Sequence, residues 1–490
     1  MEKLYNKTTK AVEFFEIVFT IMFMVVGFLQ CSCLTFGKPI ISLVQWSTIF
    51  LGGLLVLYRL LFFKKFIKVK SIFLLLGFIT SFMLSMVVNF KYGFYENFRG
   101  LIFIVFQIGL IYAFDTEKSA EKIVKKFNIV ALFYLGFICV LSVISIVFLL
   151  KGVSQIYPQE VGPTIVVGFA WGRLFGAYWD PNIAAAMNAI AVAISVYFIT
   201  RFKNIFFRIL MVIGVFVNVV YIAFSDSRTG IVTLCISSVV FFAFYLFNRG
   251  FKGVKNNSLR IVACFVAVIV IAGLTLKLPG AIKDGYNAYT TAKYNEMLEN
   301  SVQEEPINEN VGADEEIESV QPEVSQQAPP TISSDGREED ISNDISNRRF
   351  DIWKNAFELF KTTPIVGTSH FNIVPYAQEV MPDSYILIND HMVFYTMHNF
   401  FVDVLVSQGI LGIATIVGAA LWMVIFLLKK FKLFNNGKNA PLNFAALSVA
   451  LTVIASSLFM TEIVYVITPL TLMFWLSMGV LMNNLQKEDN

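Results

Sequence analysis

The stretch MHNFFVDVLVSQGILG, residues 397–412, joins a long polar segment to an apolar run long enough for a membrane helix. It places His398, one of 3 histidines in the chain, at the predicted membrane surface. Asn399 suits the N-cap of the following helix, because its side-chain oxygen can accept hydrogen bonds from the first backbone N–H groups. Gly409 and Gly412 would share one face of that helix and permit close packing against a neighbour.

Working outward, the rest of the chain is strongly apolar. It has 490 residues, of which 56% are apolar and 15% charged, whereas soluble domains carry about 25% charged residues. Each long apolar run could cross about 30 Å of hydrocarbon as a helix. The first run is followed directly by others, so we expect no cleavable signal peptide. The composition predicts an all-α polytopic membrane protein with about twelve transmembrane helices and one large extracytoplasmic loop. The predicted spans lie near 13–32, 41–63, 71–90, 100–114, 127–150, 182–200, 206–224, 231–248, 261–278, 399–428, 441–460 and 466–483.

The positive charges predict the orientation of these spans. Lysine and arginine favour the cytoplasmic ends of membrane helices. Clusters of them precede the first span and follow every even-numbered span as far as the tenth. They lie at residues 3–10, 64–70, 118–126, 201–208, 249–260 and 429–438. All of these clusters fall on one side of the predicted topology. We therefore expect a multi-pass protein of the cell (cytoplasmic) membrane with both termini cytoplasmic.

The same topology divides the chain into three parts. Residues 1–278 contain the first nine spans, residues 279–397 form the large extracytoplasmic loop, and residues 398–490 contain the last three spans and a cytoplasmic tail. Within the loop, residues 297–346 are acidic and almost without aromatic residues, which predicts disorder. Residues 350–363 carry apolar side chains at helical spacing, which predicts an amphipathic helix on the outer membrane surface, ended by Pro364.

Four predicted outer positions carry cations or an ionisable ring: Arg173, Arg228, the pair Arg348 and Arg349, and His398. A guanidinium binds phosphate oxygens at two points and stays charged at any working pH. Backbone N–H groups at helix starts also bind anions, and residues 182, 230 and 399 lie at predicted helix starts. This pattern predicts a site for a pyrophosphate-linked lipid, at which neutral His398 takes a proton from a sugar hydroxyl.

Asp180 and Asn182 belong to the loop that leads into the sixth span. Asp180 suits a helix N-cap and the following proline suits the first helical turn. We assign Asp180, Asn182, Arg173, Arg348 and Asn399 to substrate binding as a hypothesis.

Each of these positions also has a structural interpretation. Arg228 could cap a tight hairpin, and Arg173 could pair with Asp180. His398 could have only a structural role at the helix start. Arg348 and Arg349 could anchor the loop at the interface. Glu462 is a further possible base, although its position favours a solvated loop carboxylate, and His370 and His391 have no surrounding motif and are expected to be structural. The functional interpretation depends on all four sites facing the same side.

The motifs resemble those of the O-antigen ligase and polymerase superfamily. They are Ser227-Arg228-Thr229-Gly230 after a span, Arg349-Phe350-Asp351-Ile352-Trp353 leading to Pro364-Ile365-Val366-Gly367, and then His398-Asn399 with Gly409 and Gly412. The resemblance implies a helical fold like that of C-type glycosyltransferases, acting outside the cell on glycans carried by undecaprenyl pyrophosphate. It also implies that Arg228 and Arg349 bind the donor pyrophosphate and that His398 orients or deprotonates the acceptor hydroxyl.

Within this superfamily we expect a polysaccharide polymerase that uses inverting glycosyl transfer without metal or cofactor. The Phe-, Ile-, Lys- and Asn-rich composition hints at a single-membrane organism and a capsule-type product. A ligase that moves the glycan to another acceptor is the alternative, and a transporter of lipid-linked oligosaccharides is the alternative from another class. The expected partners are the lipid-linked glycan, membrane lipid and a chain-length regulator, with no nucleic acid.

Overall fold

A computed structural model of the protein describes residues 2–69, 71–158, 164–246, 257–303, 348–389 and 393–487. Most of these residues are helical. The α-helices are α1 (Glu2–Cys31), α2 (Pro39–Leu61), α3 (Ile72–Val88), α4 (Tyr95–Phe106), α5 (Ala120–Leu150), α6 (Pro181–Arg201), α7 (Ile205–Ser225), α8 (Arg228–Tyr245), α9 (Asn257–Gln303), α10 (Arg349–Thr362), α11 (Ile373–Val380), α12 (Phe400–Lys429), α13 (Phe431–Asn436), α14 (Ala440–Ser456) and α15 (Pro469–Lys487). A π-helix over Gln107–Tyr112 continues α4, and short 3-10 helices lie at Phe63–Lys65, Phe90–Tyr92 and His370–Asn372.

Every span predicted from the sequence lies on one of these helices. Among the described residues, 7 helices are both long and apolar enough to cross a membrane, and 3 shorter apolar helices accompany them. The protein is therefore a mostly helical, multi-pass membrane protein. The number of twelve crossings, and the side on which the termini lie, stay predictions.

The helix that contains the ninth predicted span does not end at residue 278. Helix α9 continues through Pro279 to Gln303, so it extends well into the region predicted as the outer loop. Residues 297–303 of the acidic stretch are therefore helical, and the prediction of disorder is wrong for them. Residues 304–346 lie outside the described residues.

A small sheet departs from the all-α prediction. Strands β1 (Ser154–Tyr157), β2 (Ile165–Ala170) and β3 (Arg173–Gly176) form an antiparallel sheet in that order. Strand β3 then leads into α6, so the sheet fixes the start of the loop that carries Asp180. Gly176 adopts a φ of 65° and a Cβ at this position would overlap Ser145, which requires glycine. The sequence analysis missed these strands because they are short and lie between long apolar runs.

Helix α6 forms the centre of the bundle. It packs against α7, α8 and α14. Of the residues in its most apolar stretch, 78% are buried. Alanines at 184, 185, 186, 189, 191 and 193 are all buried. Small side chains allow neighbouring backbones to approach closely, which is how helices gain packing energy in a membrane.

Connections predicted to share a side contact one another. At the predicted outer end, the Trp179 N–H donates to the carbonyl of Cys31 at 2.8 Å, and the Phe400 N–H donates to the carbonyl of Ser457 at 2.9 Å. At the opposite end, the Thr116 N–H donates to the carbonyl of Lys65 at 3.1 Å. The outer connections therefore gather around the starts of α6 and α12.

Candidate active site

The start of α12 is fixed by its N-cap residue. Asn399 Oδ1 accepts hydrogen bonds from the backbone N–H groups of Phe401 at 2.9 Å and Val402 at 3.2 Å. Its Nδ2 donates to the carbonyl of Leu458 at 3.1 Å. Asn399 is thus the N-cap that the sequence indicates. Because both Oδ1 and Nδ2 of Asn399 form hydrogen bonds, Asn399 is held in place and positions the preceding residue, His398.

His398 lies directly before this cap in a left-handed backbone conformation, with φ of 50°. Such a conformation is costly for a residue with a Cβ and persists where the surroundings impose it. Here the preceding residue is held from both sides: the Met397 N–H donates to Asp403 Oδ1 at 2.8 Å, and Trp353 Nε1 donates to the Met397 carbonyl at 2.9 Å. The imidazole ring of His398 also makes an edge contact with Phe394.

The amphipathic helix of the outer region is α10, which ends one residue before the predicted limit of 363. It buries Ile352, Ala356 and Leu359 and exposes Phe350. The buried side chains pack in one cluster with residues of α11 and α12 and with Met397. The helix therefore packs on the protein as well as presenting an apolar outer side.

The N-terminus of α10 brings the paired arginines to the site. The guanidinium of Arg349 lies over the ring of Phe459, 5.4 Å from its centroid. Arg348 occupies the N-cap position with a left-handed φ of 62°, and it is half-buried. The two arginines thus lie at the start of a helix, where backbone N–H groups also favour anions.

The hairpin between α7 and α8 is held by Arg173 and Asn182. Arg173 is buried; its Nε donates to the Ser225 carbonyl at 2.9 Å and its Nη2 donates to Asn182 Oδ1 at 2.8 Å. The Ser227 hydroxyl donates to the same Asn182 oxygen at 2.9 Å. The sequence predicts that Arg173 and Asn182 bind substrate. In the structure, their side chains hold the hairpin that presents Arg228.

Asp180 is the N-cap of α6, as the sequence indicates. Its Oδ1 accepts from the N–H groups of Asn182 at 2.6 Å and Ile183 at 3.1 Å, and Pro181 occupies the first turn. The carboxylate stays half-buried. It is therefore fixed in place at the head of the central helix.

Four of the predicted residues share one electrostatic environment: Asp180, Arg228, Arg349 and His398. Burial lowers the pKa of His398, Arg349 lowers it further, and Asp180 opposes both. Burial likewise lowers the pKa of Arg349, with Asp180 opposing and Arg228 adding to the effect. We call these four residues the outer charge centre. The two arginines and the histidine are thus brought together from α8, α10 and the start of α12.

Neither Arg228 nor Arg349 is neutralised within the described part of the chain, where neither forms an ion pair or a side-chain hydrogen bond. Arg228 is exposed and Arg349 half-buried. The carboxylate of Asp180 is a counter-charge near Arg349, and it also caps α6. Two guanidinium groups and one carboxylate leave an excess of positive charge that suits an anionic ligand.

Of the other two histidines, His370 is buried, and its ring stacks on Tyr465 with centroids 4.1 Å apart. Its Nδ1 lies 3.3 Å from the Ser407 hydroxyl, and burial lowers its pKa to about 3. His370 thus packs as a neutral ring, in line with the structural interpretation. His391 lies outside the described residues.

The expectation for Glu462 is wrong. It was interpreted as a solvated loop carboxylate, but its side chain is buried. Its Oε2 accepts a hydrogen bond from the Thr468 hydroxyl at 2.7 Å. Burial raises the pKa of Glu462 to about 8, and the negative charge of Asp180 adds to the rise. Nothing in the local sequence signals this burial, which arises because the connection between α14 and α15 is covered by the bundle.

The interpretation of Gly409 also needs correction. Helix α12 is interrupted there, with φ of 62° and ψ of −156°. The segment 364–369 fills the interruption: the Thr368 N–H donates to the Val406 carbonyl at 2.9 Å, and the Ile410 N–H donates to the Pro364 carbonyl at 2.9 Å. A Cβ on Gly409 would overlap the backbone of Ile365. Gly409 therefore admits a neighbouring loop at a helix break; it does not share a regular helix face with Gly412.

Asp403 is a residue of the candidate site that the sequence analysis missed. It is buried in the first turn of α12, where its Oδ1 accepts from the Met397 N–H and its other oxygen accepts from the Thr461 hydroxyl. It thus ties the residue before His398 to the connection that contains Glu462. The available signal is an acidic residue in the first turn of a helix, which the helix dipole favours.

In the described part of the chain, no group of three His, Cys, Asp or Glu side chains is arranged to hold a metal ion. Residues 213–417 match a family model described as O-antigen ligase. The match begins in α7 and ends within α12, so it contains Arg228, Arg349 and His398. It confirms the superfamily resemblance stated from the motifs. No curated protein matches the chain.

Proposed function

Because residues 213–417 belong to the O-antigen ligase family, we propose that the protein polymerises undecaprenyl-pyrophosphate-linked oligosaccharide repeat units into a surface polysaccharide. The reaction would take place at the extracytoplasmic face of the cell membrane. The observation that carries the proposal is the outer charge centre, in which Arg349 lies within electrostatic range of Arg228, His398 and Asp180.

In this proposal the two arginines bind the donor pyrophosphate. Each guanidinium can donate two parallel hydrogen bonds to phosphate oxygens, and the start of α10 adds backbone N–H donors. Negative charge develops on the pyrophosphate oxygen as its bond to the sugar breaks. Fixed cations at that position stabilise the transition state more than the ground state, which is the condition for catalysis.

The chemistry is a single displacement at the anomeric carbon of the donor. The acceptor hydroxyl oxygen forms a bond to this carbon from the face opposite the pyrophosphate. The bond between carbon and pyrophosphate oxygen breaks, and its electron pair leaves with the undecaprenyl pyrophosphate. The hydroxyl proton passes to the neutral imidazole of His398, and the positive charge that it gains balances the negative charge on the leaving group. The anomeric configuration is inverted because the attack comes from the opposite face.

The environment of His398 supports its role as the proton acceptor. Burial and the positive charge of Arg349 both lower its pKa, so the ring is neutral near pH 7 and has a free nitrogen lone pair. The rate should fall as the pH drops through this lowered pKa and His398 gains a proton. We expect the acidic limb of the pH–rate profile at a pH below the ordinary histidine value of about 6.5.

Ligation is the second candidate function, and the family description favours it. The donor chemistry would be the same, but the acceptor would be a different carrier. A chain-length regulator would act with a polymerase and have no role in simple ligation. The capsule-type product remains part of the polymerase proposal.

The test uses the purified full-length protein in liposomes with undecaprenyl-pyrophosphate-linked repeat units as the sole substrate. We expect a ladder of products still attached to the lipid, absent for His398→Gln and Arg228→Ala and retained for Lys361→Ala, whose side chain is exposed on α10. Transfer only after a separate acceptor is added would support ligation. Movement of the lipid across the bilayer without any new glycosidic bond would reject both enzymatic functions.

A further inference from the structure

A cavity of about 450 Å³ opens at the outer end of the bundle, next to the outer charge centre. We call it the outer pocket; the lining residues used below are Gln45 of α2, Arg99 and Phe103 of α4, Asp180 and Thr468. Asp180 is common to this pocket and to the outer charge centre. Thr468 is the residue whose hydroxyl donates to Glu462. The pocket therefore joins α2 and α4 to the centre that contains His398.

A second cavity, of about 540 Å³, follows the same two helices away from the outer pocket. Its lining is apolar throughout: Ile49, Phe50, Gly53, Leu54, Val56 and Leu57 of α2, and Leu101, Ile102, Val105 and Phe106 of α4. We call this cavity the α2–α4 groove. Leu54 and Leu57 are 50% and 60% exposed, so the groove is open on the lipid side of the predicted membrane.

The two cavities adjoin along both helices. Gln45 of the outer pocket lies one helical turn from Ile49 of the groove, and Arg99 lies one turn from Ile102. Residues three or four apart lie on the same helix face. From Gln45 to Leu57 the path covers about 18 Å at about 1.5 Å per residue, more than half of a hydrocarbon core about 30 Å thick. A pocket lined in part by polar side chains thus adjoins a long apolar groove.

The floor of the groove depends on two adjacent glycines with opposite surroundings. A Cβ on Gly52 would overlap the rings of Phe106 and Phe19, so Gly52 lets α2 pack closely on its neighbours. A Cβ on Gly53 would meet nothing within 4 Å. Gly52 therefore allows α2 to pack tightly on its neighbours, and Gly53 leaves the groove open.

We propose that the α2–α4 groove holds the polyprenyl chain of a second lipid-linked substrate, the acceptor, with its phosphates at Arg99 and its glycan in the outer pocket. The identity of the ligand class rests on the proposed function. The apolar lining suits an isoprenoid chain, and Arg99 provides a cation at the polar end, 41% exposed and paired with Glu96. The glycan would then pass Asp180, whose charge acts on His398, the proposed proton acceptor.

This assignment gives the two substrates of a polymerase separate places. The donor pyrophosphate lies at Arg228 and Arg349, and the acceptor arrives between α2 and α4 on the other side of Asp180. Two identical lipid carriers therefore do not compete for one set of arginines.

The test uses undecaprenyl pyrophosphate with a photoreactive group in its isoprenoid chain, reconstituted with the full-length protein in phosphatidylglycerol liposomes. Cross-linked peptides are mapped by mass spectrometry. We expect labelling of α2 and α4 around residues 49–57 and 101–106, in addition to any labelling near α8 and α10. Photoreactive phosphatidylglycerol should label the groove far less. Equal labelling by the phospholipid would mean that the groove holds bulk lipid only, and would overturn the proposal.

The matched variants are Gly53→Phe and Gly136→Phe. Both positions lie in membrane helices, and a Cβ at either meets nothing within 4 Å, so each variant should fold. Gly53→Phe fills the groove, and we expect it to reduce α2 and α4 labelling roughly tenfold. Packing contacts in lipid are individually small, but a displaced stretch of chain loses on the order of ten of them. Gly136→Phe should leave labelling unchanged.

The labelling readout separates this proposal from the proposed function. If wild-type protein makes polymer and the two glycine variants label and polymerise alike, the groove assignment fails while the polymerase function stands. If wild-type protein makes no polymer but Gly53→Phe selectively loses α2 and α4 labelling, the groove still binds the polyprenyl lipid and the function fails. Arg99→Gln should raise the KM for the lipid-linked substrate without abolishing the reaction.

Discussion

The charged side chains at the two ends of the bundle differ in whether they have ion-pair partners. At the end opposite the outer charge centre, Glu16 is buried and accepts from Arg59 at 2.5 Å and from Lys118 at 2.6 Å. Arg59 also donates to the backbone carbonyls of Gly109, within the π-helix, and of Ala113, directly after it. Each of these cations therefore has a fixed partner. We call Glu16, Arg59 and Lys118 the inner charge centre.

The outer charge centre has cations without such partners. Arg228 and Arg349 form no ion pair with any described residue, and the nearby Asp180 is occupied as the cap of α6. The comparison separates two uses of arginine. A cation matched to a buried carboxylate fixes the position of a helix, whereas an unmatched pair of cations retains its capacity for an anion that a substrate supplies. Four predictions follow from this difference, in order of decreasing effect.

The largest effect on the transfer rate is expected from Arg349→Ala. Removing one fixed donor to a developing negative charge costs about 10²–10³ in turnover. The thermal unfolding temperature should change little, because Arg349 has no ion-pair partner among the described residues to leave unsatisfied. The rate of Arg349→Lys should lie between those of the wild type and Arg349→Ala, since lysine keeps the charge but loses the two-point geometry. Initial rates of glycosyl transfer and thermal unfolding, measured with Lys361→Ala as the control on the same helix, check this. Equal rate losses in Arg349→Ala and Lys361→Ala would remove the functional distinction.

Arg59→Met should give the opposite pattern. It leaves Glu16 buried with one cation fewer, and breaking a buried ion pair costs about 3–5 kcal/mol. We expect a large fall in the free energy of unfolding, with the transfer rate per folded molecule unchanged. The double variant Arg59→Met with Glu16→Gln should recover part of the loss, because the uncompensated charge is gone. Denaturant unfolding in detergent measures both variants; unchanged unfolding for Arg59→Met would show that the inner charge centre does not stabilise the fold.

Lys283→Met tests a link between the long helix α9 and the outer charge centre. Lys283 Nζ lies 2.6 Å from Asp226 Oδ1, and both side chains are largely buried. Asp226 adopts a left-handed φ of 48° two residues before Arg228, so the ion pair holds the hairpin at its turn. A displaced cation loses catalytic effect quickly, and we expect a roughly tenfold lower rate.

The controls for this prediction distinguish positioning from folding. Lys283→Arg should restore most of the rate, because it can remake the ion pair, while Lys293→Met, at an exposed position of the same helix, should have no effect. The unfolding temperature is measured for all three variants. A rate loss that follows the unfolding temperature, without recovery in Lys283→Arg, would mean that the pair only stabilises the fold.

Local chemistry accounts for what the sequence predicted well. Long apolar runs mark helices because a membrane helix must bury its backbone polar groups internally, and each predicted span lies on a helix. Helix starts at Asp180 and Asn399 were predictable since a cap uses residues within three positions of itself. The arginines and the histidine were found for the same reason: they are rare polar residues at the ends of apolar runs.

The features that the sequence did not predict depend on distant contacts. The break at Gly409 exists because residues 364–369, about 40 positions earlier, supply hydrogen bonds to the interrupted helix. Burial of Glu462 depends on the surrounding bundle, and the use of Arg173 inside the fold depends on the hairpin at Ser225. No local pattern encodes these contacts. Periodicity also could not show that α2 and α4 separate enough to leave a groove.

The smallest effect is expected from Glu462→Gln, which tests whether this carboxyl group adds a negative charge to the outer end. Burial raises its pKa to about 8, so the folded protein holds it protonated near pH 7 and glutamine is a close replacement. Below about pH 4.5, where Glu462 is protonated in the folded and the unfolded protein alike, the free energy of unfolding should change by less than about 0.5 kcal/mol. At the same pH, Glu462→Ala should cost about 1–3 kcal/mol by leaving Thr468 without its acceptor.

The pH dependence gives the sign of this last prediction. Between the ordinary carboxyl pKa of 4.5 and about 8, the unfolded chain ionises Glu462 and the folded chain does not. Wild-type protein should therefore lose stability relative to Glu462→Gln as the pH rises through this window, and the difference should level off above it. Unfolding of both proteins across the window measures the trend. If the wild type instead gained stability with rising pH, Glu462 would be an anion in the folded state. It would then join Asp180 in neutralising Arg228 and Arg349, and the two charge centres would differ much less than the ion pairs indicate.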